Sequence, residues 1–207
     1  MTKLIDITLR YTEDSTEKYR VQSIDSVNGA ILEHLADHIL TMIPINSRKT
    51  MLLSNVLDIV LSGRYELSIN VRVDDGLANG ASGVVQAVQL TGDCNTASGI
   101  VLVKFDQEIV GSKTRQENET LYNHEKLVDW TPIYPGPRQF QVGRSANAQV
   151  MRKQFPLRHS AAKTVHRCQG DMLDAVVVDM SGKRKEAHFH YVSLAESDHL
   201  MDCTYWT

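Results

Sequence analysis

The stretch QFPLRHSAAKTVHRCQGDMLDAVVVD, residues 154–179, decides the expected fold. Its last part contains Leu173–Val178, an almost continuously apolar run between Asp171 and the pair Ser181–Gly182. A run of this kind is typical of a parallel strand that is buried on both faces. The preceding segment TVHRCQG, residues 164–170, combines polar side chains with a glycine and is expected to form a turn that leads into the strand. The sequence therefore predicts an α/β layer here.

The same turn has the chemistry of an anion site. Thr164 is well placed as a helix N-cap, and the amides that such a cap leaves exposed bind anions such as a DNA phosphate. Other interpretations stay open, because Thr164 and Gly170 also fit a capped short helix that ends at a glycine. His166 fits an ordinary surface histidine, and Arg167 fits an exposed ion pair with Asp171 worth about 0.5 kcal/mol.

Charge is unevenly spread along the chain, although its formal net charge is only −3. No Asp or Glu lies between Trp130 and Gly170, a segment called here the basic run. Its cationic and histidine side chains are Arg138, Arg144, Arg152, Lys153, Arg158, Lys163 and Arg167, with His159 and His166. The run predicts a basic face built by one contiguous segment. The alternative is a solvated surface that acidic neighbours balance in the fold.

Aromatic side chains add a second candidate for nucleic-acid contact. Trp130, Phe140, Phe155 and Tyr191 could stack on bases, which is worth about 1–3 kcal/mol per base in single-strand binding. Aromatic residues also build protein cores, so only those exposed beside the basic run qualify.

Residues 53–150 predict a small antiparallel barrel or sheet. Short strands are expected in LDIVL, YELSINVRV, SGVVQAVQL and GIVLVKF, which start at residues 57, 65, 82 and 99. The turns at residues 74–76 and 78–80 supply residues that tolerate positive φ. The polar segment 111–127 is expected to be a variable or partly ordered insertion rather than a strand.

Residues 1–52 are expected to hold a strand, a helix and a linker. KLIDITL, residues 3–9, has a strand-like composition. Apolar residues recur at helical spacing between about Ser26 and Thr41, which predicts an amphipathic helix whose apolar stripe packs on the core or another domain. The segment from Pro44 to Thr50 is expected to connect this helix to the strands.

The segment TVHRCQG resembles the T-[IV]-H-[KR]-x-Q-G element of the Pif-like DNA helicases, superfamily-one motors related to the RecD group and to Helitron-type helicases. Two further stretches agree with that family in order and kind: DGLANGA at residues 75–81 with Gly83-Val84-Val85, and HYVSL at residues 190–194. The resemblance covers roughly residues 55–195. It implies a mixed α/β fold with an all-β insertion: part of a second RecA-like motor domain carrying a small barrel of the Src-homology-three type. The implied division is 1–52, 53–150 for the barrel, and 151–207 for the remaining motor portion.

The resemblance also implies roles for single residues, in 5′-to-3′ DNA unwinding driven by ATP. By that correspondence, and with the basic run, the DNA-binding residues are Lys163, Thr164, His166 and Arg167. Gln169 and Gly170 would face the nucleotide. Asp75, Gly76, Asn79, Gly80 and Gly83 would shape a loop and take no part in catalysis, so no catalytic residue is assigned.

Departures from the family limit these expectations. Helicases of this family hold ATP in a glycine-rich loop that ends in Gly-Lys-Ser/Thr. The only Gly-Lys in this sequence is Gly182-Lys183, which is followed by Arg184. Ala195 and Glu196 stand where the family has Ser and the γ-phosphate arginine. Such an arginine is worth about 10³–10⁵ in rate. ATP and Mg²⁺ are therefore expected only if a phosphate-loop RecA-like partner domain is supplied. A degenerate, non-catalytic module that binds single strands or another partner is the alternative, and an unrelated small barrel is a third.

Composition sets the remaining bounds. At 207 residues, with 42% hydrophobic and 23% charged residues, the chain is ordinary for a soluble globular protein. No apolar run approaches the roughly 20 residues that cross a bilayer, and the first residues lack a secretory core. An intracellular location is expected, nuclear in a eukaryote, with no membrane partner. Three distant cysteines predict reduced thiols, and His188 with His190 lacks further ligands, so no metal is expected.

Overall fold

A computed structural model describes residues 17–28, 33–91, 96–119, 129–143 and 149–160. All of them belong to one compact unit, Ile5–Ala161. The expected strands at residues 3–9 and Leu173–Val178 lie outside the described residues, as do the segments TVHRCQG and HYVSL. The described part is mostly β-sheet with two short helices, so the expectation of a mixed fold is confirmed.

Three antiparallel sheets make up the described part. Their strands are β1 (Lys18–Gln22), β2 (Ile24–Asn28), β3 (Val56–Val60), β4 (Arg64–Leu67), β5 (Ser82–Leu90), β6 (Gly99–Phe105), β7 (Thr131–Ile133), β8 (Gly136–Gln141), β9 (Gln149–Gln154) and β10 (Leu157–His159). The helices are α1 (Glu33–Thr41) and α2 (Ser112–Glu117), with single 3-10 turns at Ser47–Lys49 and Val73–Asp75.

The largest sheet has five strands in the order β10-β4-β5-β6-β7, and β1 pairs with β3 in a separate two-stranded sheet. Apolar residues of both sheets form the main core, which includes Val21, Ile59, Leu67, Val85 and Val103. No closed barrel occurs among the strands of the described ranges. The Src-homology-three type of barrel that the resemblance implies is therefore not observed as such.

A third sheet, in the order β2-β9-β8, builds a smaller core together with α1. Phe140, Val142 and Val150 form its buried centre, and Ile39 and Leu40 of α1 pack against them. No helix in the described ranges is long and apolar enough to span a membrane. Strands from both sides of residues 53–150 pair with strands inside that range, since β1 joins β3 and β10 joins β4. The three-part division of the chain remains a prediction.

Two expected elements need correction. The helix predicted from about Ser26 to Thr41 is wrong in its first part, because residues up to Asn28 form β2 and pair with β9. The strand predicted in YELSINVRV ends at Leu67, and Val71 and Val73 are exposed, at 46% and 65%. After Leu67 the backbone turns away, and the Ser68 N–H donates to the Pro156 carbonyl.

The strands predicted in LDIVL, SGVVQAVQL and GIVLVKF are confirmed. β5 and β6 have the expected bounds, and β3 lies one residue before the expected LDIVL. The segment 111–127 is not a strand in its described part, as expected, but it begins with α2. The loop between Pro44 and Thr50 contains the 3-10 turn Ser47–Lys49.

Candidate nucleic-acid interface

The DNA and nucleotide contacts expected at Lys163, Thr164, His166, Arg167, Gln169 and Gly170 lie outside the described residues and stay predictions. Two other parts of the candidate interface are described. One is the loop with the DGLANGA sequence and the glycine that follows it, residues 75–83, called here the motif loop. The other is the basic run up to residue 160.

Asp75 joins the motif loop to helix α2. Its side chain is buried, and its carboxylate accepts hydrogen bonds from the Lys113 N–H at 2.8 Å, the Thr114 N–H at 2.9 Å and the Thr114 hydroxyl at 2.6 Å. Burial by itself raises the pKa of Asp75, but the hydrogen bonds from Thr114 and Lys113 outweigh it and hold that pKa below its ordinary value. Asp75 thus satisfies two amides at the start of α2, in the manner of an N-cap.

Ion pairs on the surface repeat the connection between the motif loop and α2. Arg72 donates to both carboxylate oxygens of Glu117, at 2.6 and 2.8 Å. Lys113 contacts the Asp74 carboxylate at 3.1 Å. The pKa of Glu117 is lowered mainly by its hydrogen bonds from Arg72, and that of Asp74 mainly by its bond from Lys113. These exposed pairs orient the loop more than they stabilise it.

Each of the three glycines in the motif loop occupies a position where a side chain would be disfavoured, for different steric reasons. Gly76 and Gly80 have φ values of 72° and 95°, a region that side chains with a Cβ rarely adopt. Gly83 lies on β5 against β6, where a Cβ would come within 2.5 Å of the Lys104 carbonyl oxygen. None of the three presents a reactive group.

Asn79 joins the motif loop to strand β10. Its side-chain oxygen accepts a hydrogen bond from Arg158 Nη2 at 2.9 Å, and its N–H donates to the Asn70 side chain at 2.8 Å. In the structure the motif loop therefore has internal structural contacts on two sides, toward α2 and toward β10.

The basic face expected from the basic run is wrong for two of its described arginines, because carboxylates from distant segments neutralise them. Arg152 is 1% exposed and donates to both oxygens of Asp25, at 2.7 and 2.6 Å. Arg158 donates to Glu66 at 2.6 Å. Arg138 donates to the Asn70 carbonyl, and Lys153 is exposed. Arg144 lies outside the described ranges. The expected alternative, acidic neighbours in the fold, is thus the correct one for Arg152 and Arg158.

The aromatic candidates and His159 are mainly core residues. Phe140 and Phe155 are buried, at 7% and 1% exposure, so they offer no face to a base. Trp130 is half-buried, and Tyr191 lies outside the described ranges. His159 packs on the Tyr65 ring with centroids 4.5 Å apart, and its pKa is lowered, chiefly because burial disfavours the charged imidazole.

A half-open cavity of about 380 Å³ lies beside the Arg152–Asp25 pair. Its walls combine the apolar residues Leu40 and Ile43 with polar Ser23 and Asn55. Arg152 is the cationic side chain in the described lining, and its guanidinium already donates to both oxygens of Asp25. The described lining therefore offers no unpaired cation to a phosphate. Among the described residues, no group of three or more His, Cys, Asp or Glu side chains is arranged to hold a metal ion.

Sequence reasoning missed Asp25 and Glu66, the two carboxylates that pair with the basic run. They lie 127 and 92 residues from their arginines along the chain. One signal was present, since Glu66 interrupts a run of strand residues and a buried carboxylate requires a cation. Nothing in the sequence identified which cation that would be.

Comparison with solved structures finds a similar fold in DNA helicases. The Pif1 helicase from Candida albicans matches 95% of this chain with a TM-score of 0.55 and 21% identity, over 41% of its own length. A Bacteroides Pif1 bound to single-stranded DNA matches 96% of this chain with a TM-score of 0.54 and 17% identity, over 39% of its length. A Bacteroides Pif1 in complex with ADP-AlF3 and single-stranded DNA matches 97%, with a TM-score of 0.51 and 15% identity, over 39% of its length.

The chain therefore has the fold of part of a DNA helicase. The helicases that it resembles in structure are Pif1 proteins, and it spans about two-fifths of their length. No protein-family model and no curated protein matches its sequence.

Proposed function

We propose that this chain is a carboxy-terminal portion of a Pif-like ATP-dependent 5′-to-3′ DNA helicase, comprising part of the second RecA-like domain with its inserted small barrel. Its role is to contact single-stranded DNA through Lys163, Thr164, His166 and Arg167, and nucleotide through Gln169 and Gly170. ATP and Mg²⁺ enter only when a phosphate-loop RecA-like domain is joined to it, from the same gene or from another chain. Alone, it turns over no ATP.

The observation that carries the proposal is the fold match, which extends over 95–97% of this chain at TM-scores of 0.51–0.55. The three sequence elements quoted above occur within that length and in the family's order. The motif loop supports the proposal further, since its aspartate, asparagine and glycines each have a structural contact or backbone conformation that other residue types would not reproduce.

A second candidate is a non-catalytic module, derived from a helicase, that binds single strands or another partner. Two observations favour it. Glu196 stands where the resemblance places an arginine against the γ-phosphate, and a carboxylate there has the wrong sign for phosphoryl transfer. Two arginines of the basic run are also occupied by Asp25 and Glu66, which leaves less positive charge for a DNA backbone.

The first test measures binding of a fluorescent oligothymidylate to the chain by anisotropy as salt is varied. We expect weak binding that falls with salt, since each phosphate neutralised on a single strand contributes a slope of about 0.7 in log–log form. The double variant Lys163→Ala/Arg167→Ala should lower the slope by about 1.4 if both side chains contact phosphates. The matched control is Arg20→Ala/Lys104→Ala, which removes two exposed charges elsewhere.

Binding and turnover together decide between these proposals. A loss confined to the 163/167 variant supports the proposed DNA contact. Equal losses in both double variants, or binding that is insensitive to salt, contradict it. ATP turnover by the isolated chain, with or without DNA, would contradict the dependence on a separate phosphate-loop domain. Turnover that appears only when such a domain is added would favour the helicase portion over the non-catalytic module.

A further inference from the structure

Strands β10 and β4 are antiparallel neighbours, and one charged pair of side chains joins them. Arg158 lies directly opposite Glu66 in the antiparallel register, and its Nε donates to Glu66 Oε1 at 2.6 Å. The Glu66 side chain is 3% exposed and that of Arg158 is 24% exposed. A carboxylate this buried must be compensated by a cation and by hydrogen bonds. The pair therefore fixes which residue of β10 lies opposite Glu66.

The same guanidinium also reaches the motif loop. Arg158 Nη2 donates to the side-chain oxygen of Asn79 at 2.9 Å. Asn79 is held in place from its other side, because its N–H donates to Asn70 Oδ1 and the next N–H, that of Gly80, donates to the Leu67 carbonyl. The planar guanidinium holds its donors in a fixed fork, so Nε and Nη2 bond the carboxylate and the amide in one geometry, whereas a lysine ammonium is a point charge on a flexible stem.

We propose that Arg158 is a positioning residue: by binding Glu66 and Asn79 together, it couples the motif loop to strand β10, whose last residue precedes Lys163 by four positions in the sequence. Loss of this coupling then weakens the DNA binding proposed for Lys163, Thr164, His166 and Arg167. The DNA part of this inference rests on the function proposed above. The structural part does not, because it concerns only β4, β10 and the motif loop.

The decisive variant is Arg158→Lys, with Arg64→Lys as its matched control. Arg64 lies on β4, two residues before Glu66, and also bonds a carboxylate at 2.6 Å, that of Asp106, but this pair is exposed and its bond does not involve a motif-loop side chain. Both changes keep the charge, so general electrostatic attraction to DNA is unchanged. We expect Arg158→Lys to weaken oligothymidylate binding about five- to tenfold, within the range of energetic coupling between distant sites. Arg64→Lys should leave it within twofold.

A second pair of variants tests the Asn79 contact without touching the buried carboxylate. Asn79→Leu removes the acceptor and should reproduce the effect of Arg158→Lys. Asn79→Asp keeps an oxygen for Arg158 and should restrain β10 as the natural residue does. Asn79 is exposed, so these variants fold even if Arg158→Lys proves unstable.

Hydrogen exchange separates this inference from the proposed function. The Ser160 N–H, which donates to the Arg64 carbonyl just beyond β10, should exchange at least several-fold faster in Arg158→Lys and Asn79→Leu than in Arg64→Lys and Asn79→Asp. If the natural chain fails to bind DNA while this exchange pattern holds, the proposed function is wrong and the coupling stands. If all four variants exchange at the same rate, Arg158 is not a positioning residue, whatever the DNA affinity.

Discussion

Replacing Arg152 with methionine tests whether the basic run is a DNA surface or part of the core. Arg152 is 1% exposed, and it donates to Asp25 through two nitrogens and to the Leu53 carbonyl through a third at 3.2 Å. Methionine fills a similar volume with a flexible apolar chain, so little cavity remains. The variant Arg152→Met therefore removes mainly the charge and its hydrogen bonds.

The expected loss of folding stability follows from the Asp25 carboxylate, which remains without its partner. Removing one partner of a buried ion pair costs about 3–5 kcal/mol, because the other charge stays uncompensated. The Asp25 side chain is 16% exposed, so water reaches it in part and the lower end of that range, about 3 kcal/mol, applies. With a urea m-value of about 2 kcal/mol/M, the unfolding midpoint should fall by about 1.5 M.

Urea unfolding of three variants checks this reasoning. Arg152→Met and Asp25→Leu should each be destabilised, whereas the double variant should recover most of the loss, since replacing both members of a buried pair by apolar residues is often neutral or better. A midpoint for Arg152→Met within about 0.3 M of the natural chain would refute the idea that this pair is structural. So would a double variant less stable than either single one. Folded Arg152→Met should bind oligothymidylate within twofold of the natural chain.

Three further changes have defined outcomes. Asp75→Ala should cost about 2 kcal/mol in urea unfolding by leaving buried amides unpaired, whereas Asp74→Ala should cost little. Because the pKa of Asp75 is lowered in the fold, the part of this cost that depends on the carboxylate charge is complete above the ordinary pKa of about 4 and is lost as the pH falls through the lowered pKa. Gly83→Ala should cost about 1–3 kcal/mol from steric overlap with β6, and Gly136→Ala, where a Cβ meets open space, should be nearly neutral in thermal unfolding. The natural chain should lose stability between pH 7.5 and 5.5, because the lowered pKa of His159 means that the unfolded state takes up the proton more readily than the folded state. In His159→Phe this loss of stability should be smaller.

Local pattern was enough to predict the central strands. In β5 and β6, short β-rich runs lie between turn residues, and the structure has them at the expected bounds. The motif loop was also identified as a turn, because Asn and Gly in succession tolerate conformations that other residues avoid. These features depend on neighbours within a few residues, which is the range that a single sequence reports.

Pairing across the chain could not be predicted in the same way. Residues 24–28 were assigned in part to a helix, because Val27 fits a helical stripe as well as it fits the inner face of a strand. Their partner, β9, lies more than 120 residues away. The edge of β9 offers backbone hydrogen bonds that outweigh a local preference. Only the fold brings the two segments together.

Charge was misjudged for the same physical reason. A segment without carboxylates has a basic sequence, but its field depends on which charges the fold brings within a few ångströms. Asp25 and Glu66 come from other strands and remove two arginines from the surface. Formal charge along a sequence therefore sets an upper limit on the basic face. Under the proposed function, the positive groups that attract DNA are exposed residues such as Lys153 and those of the segment that begins at Lys163.

The motif loop presents no reactive group, yet two of its residues join separate elements of the fold. Asp75 bonds to α2 and Asn79 bonds to β10, while Gly76 and Gly80, each directly after one of these residues, allow the backbone to turn with positive φ. A loop that is hydrogen-bonded at two points to separate elements cannot move relative to one of them without affecting its contact with the other. Its residues are then constrained by geometry and not by chemistry, and changing either anchor should disturb the element attached to the other. That expectation distinguishes a mechanical joint from an ordinary turn, in which the effects of substitutions stay local.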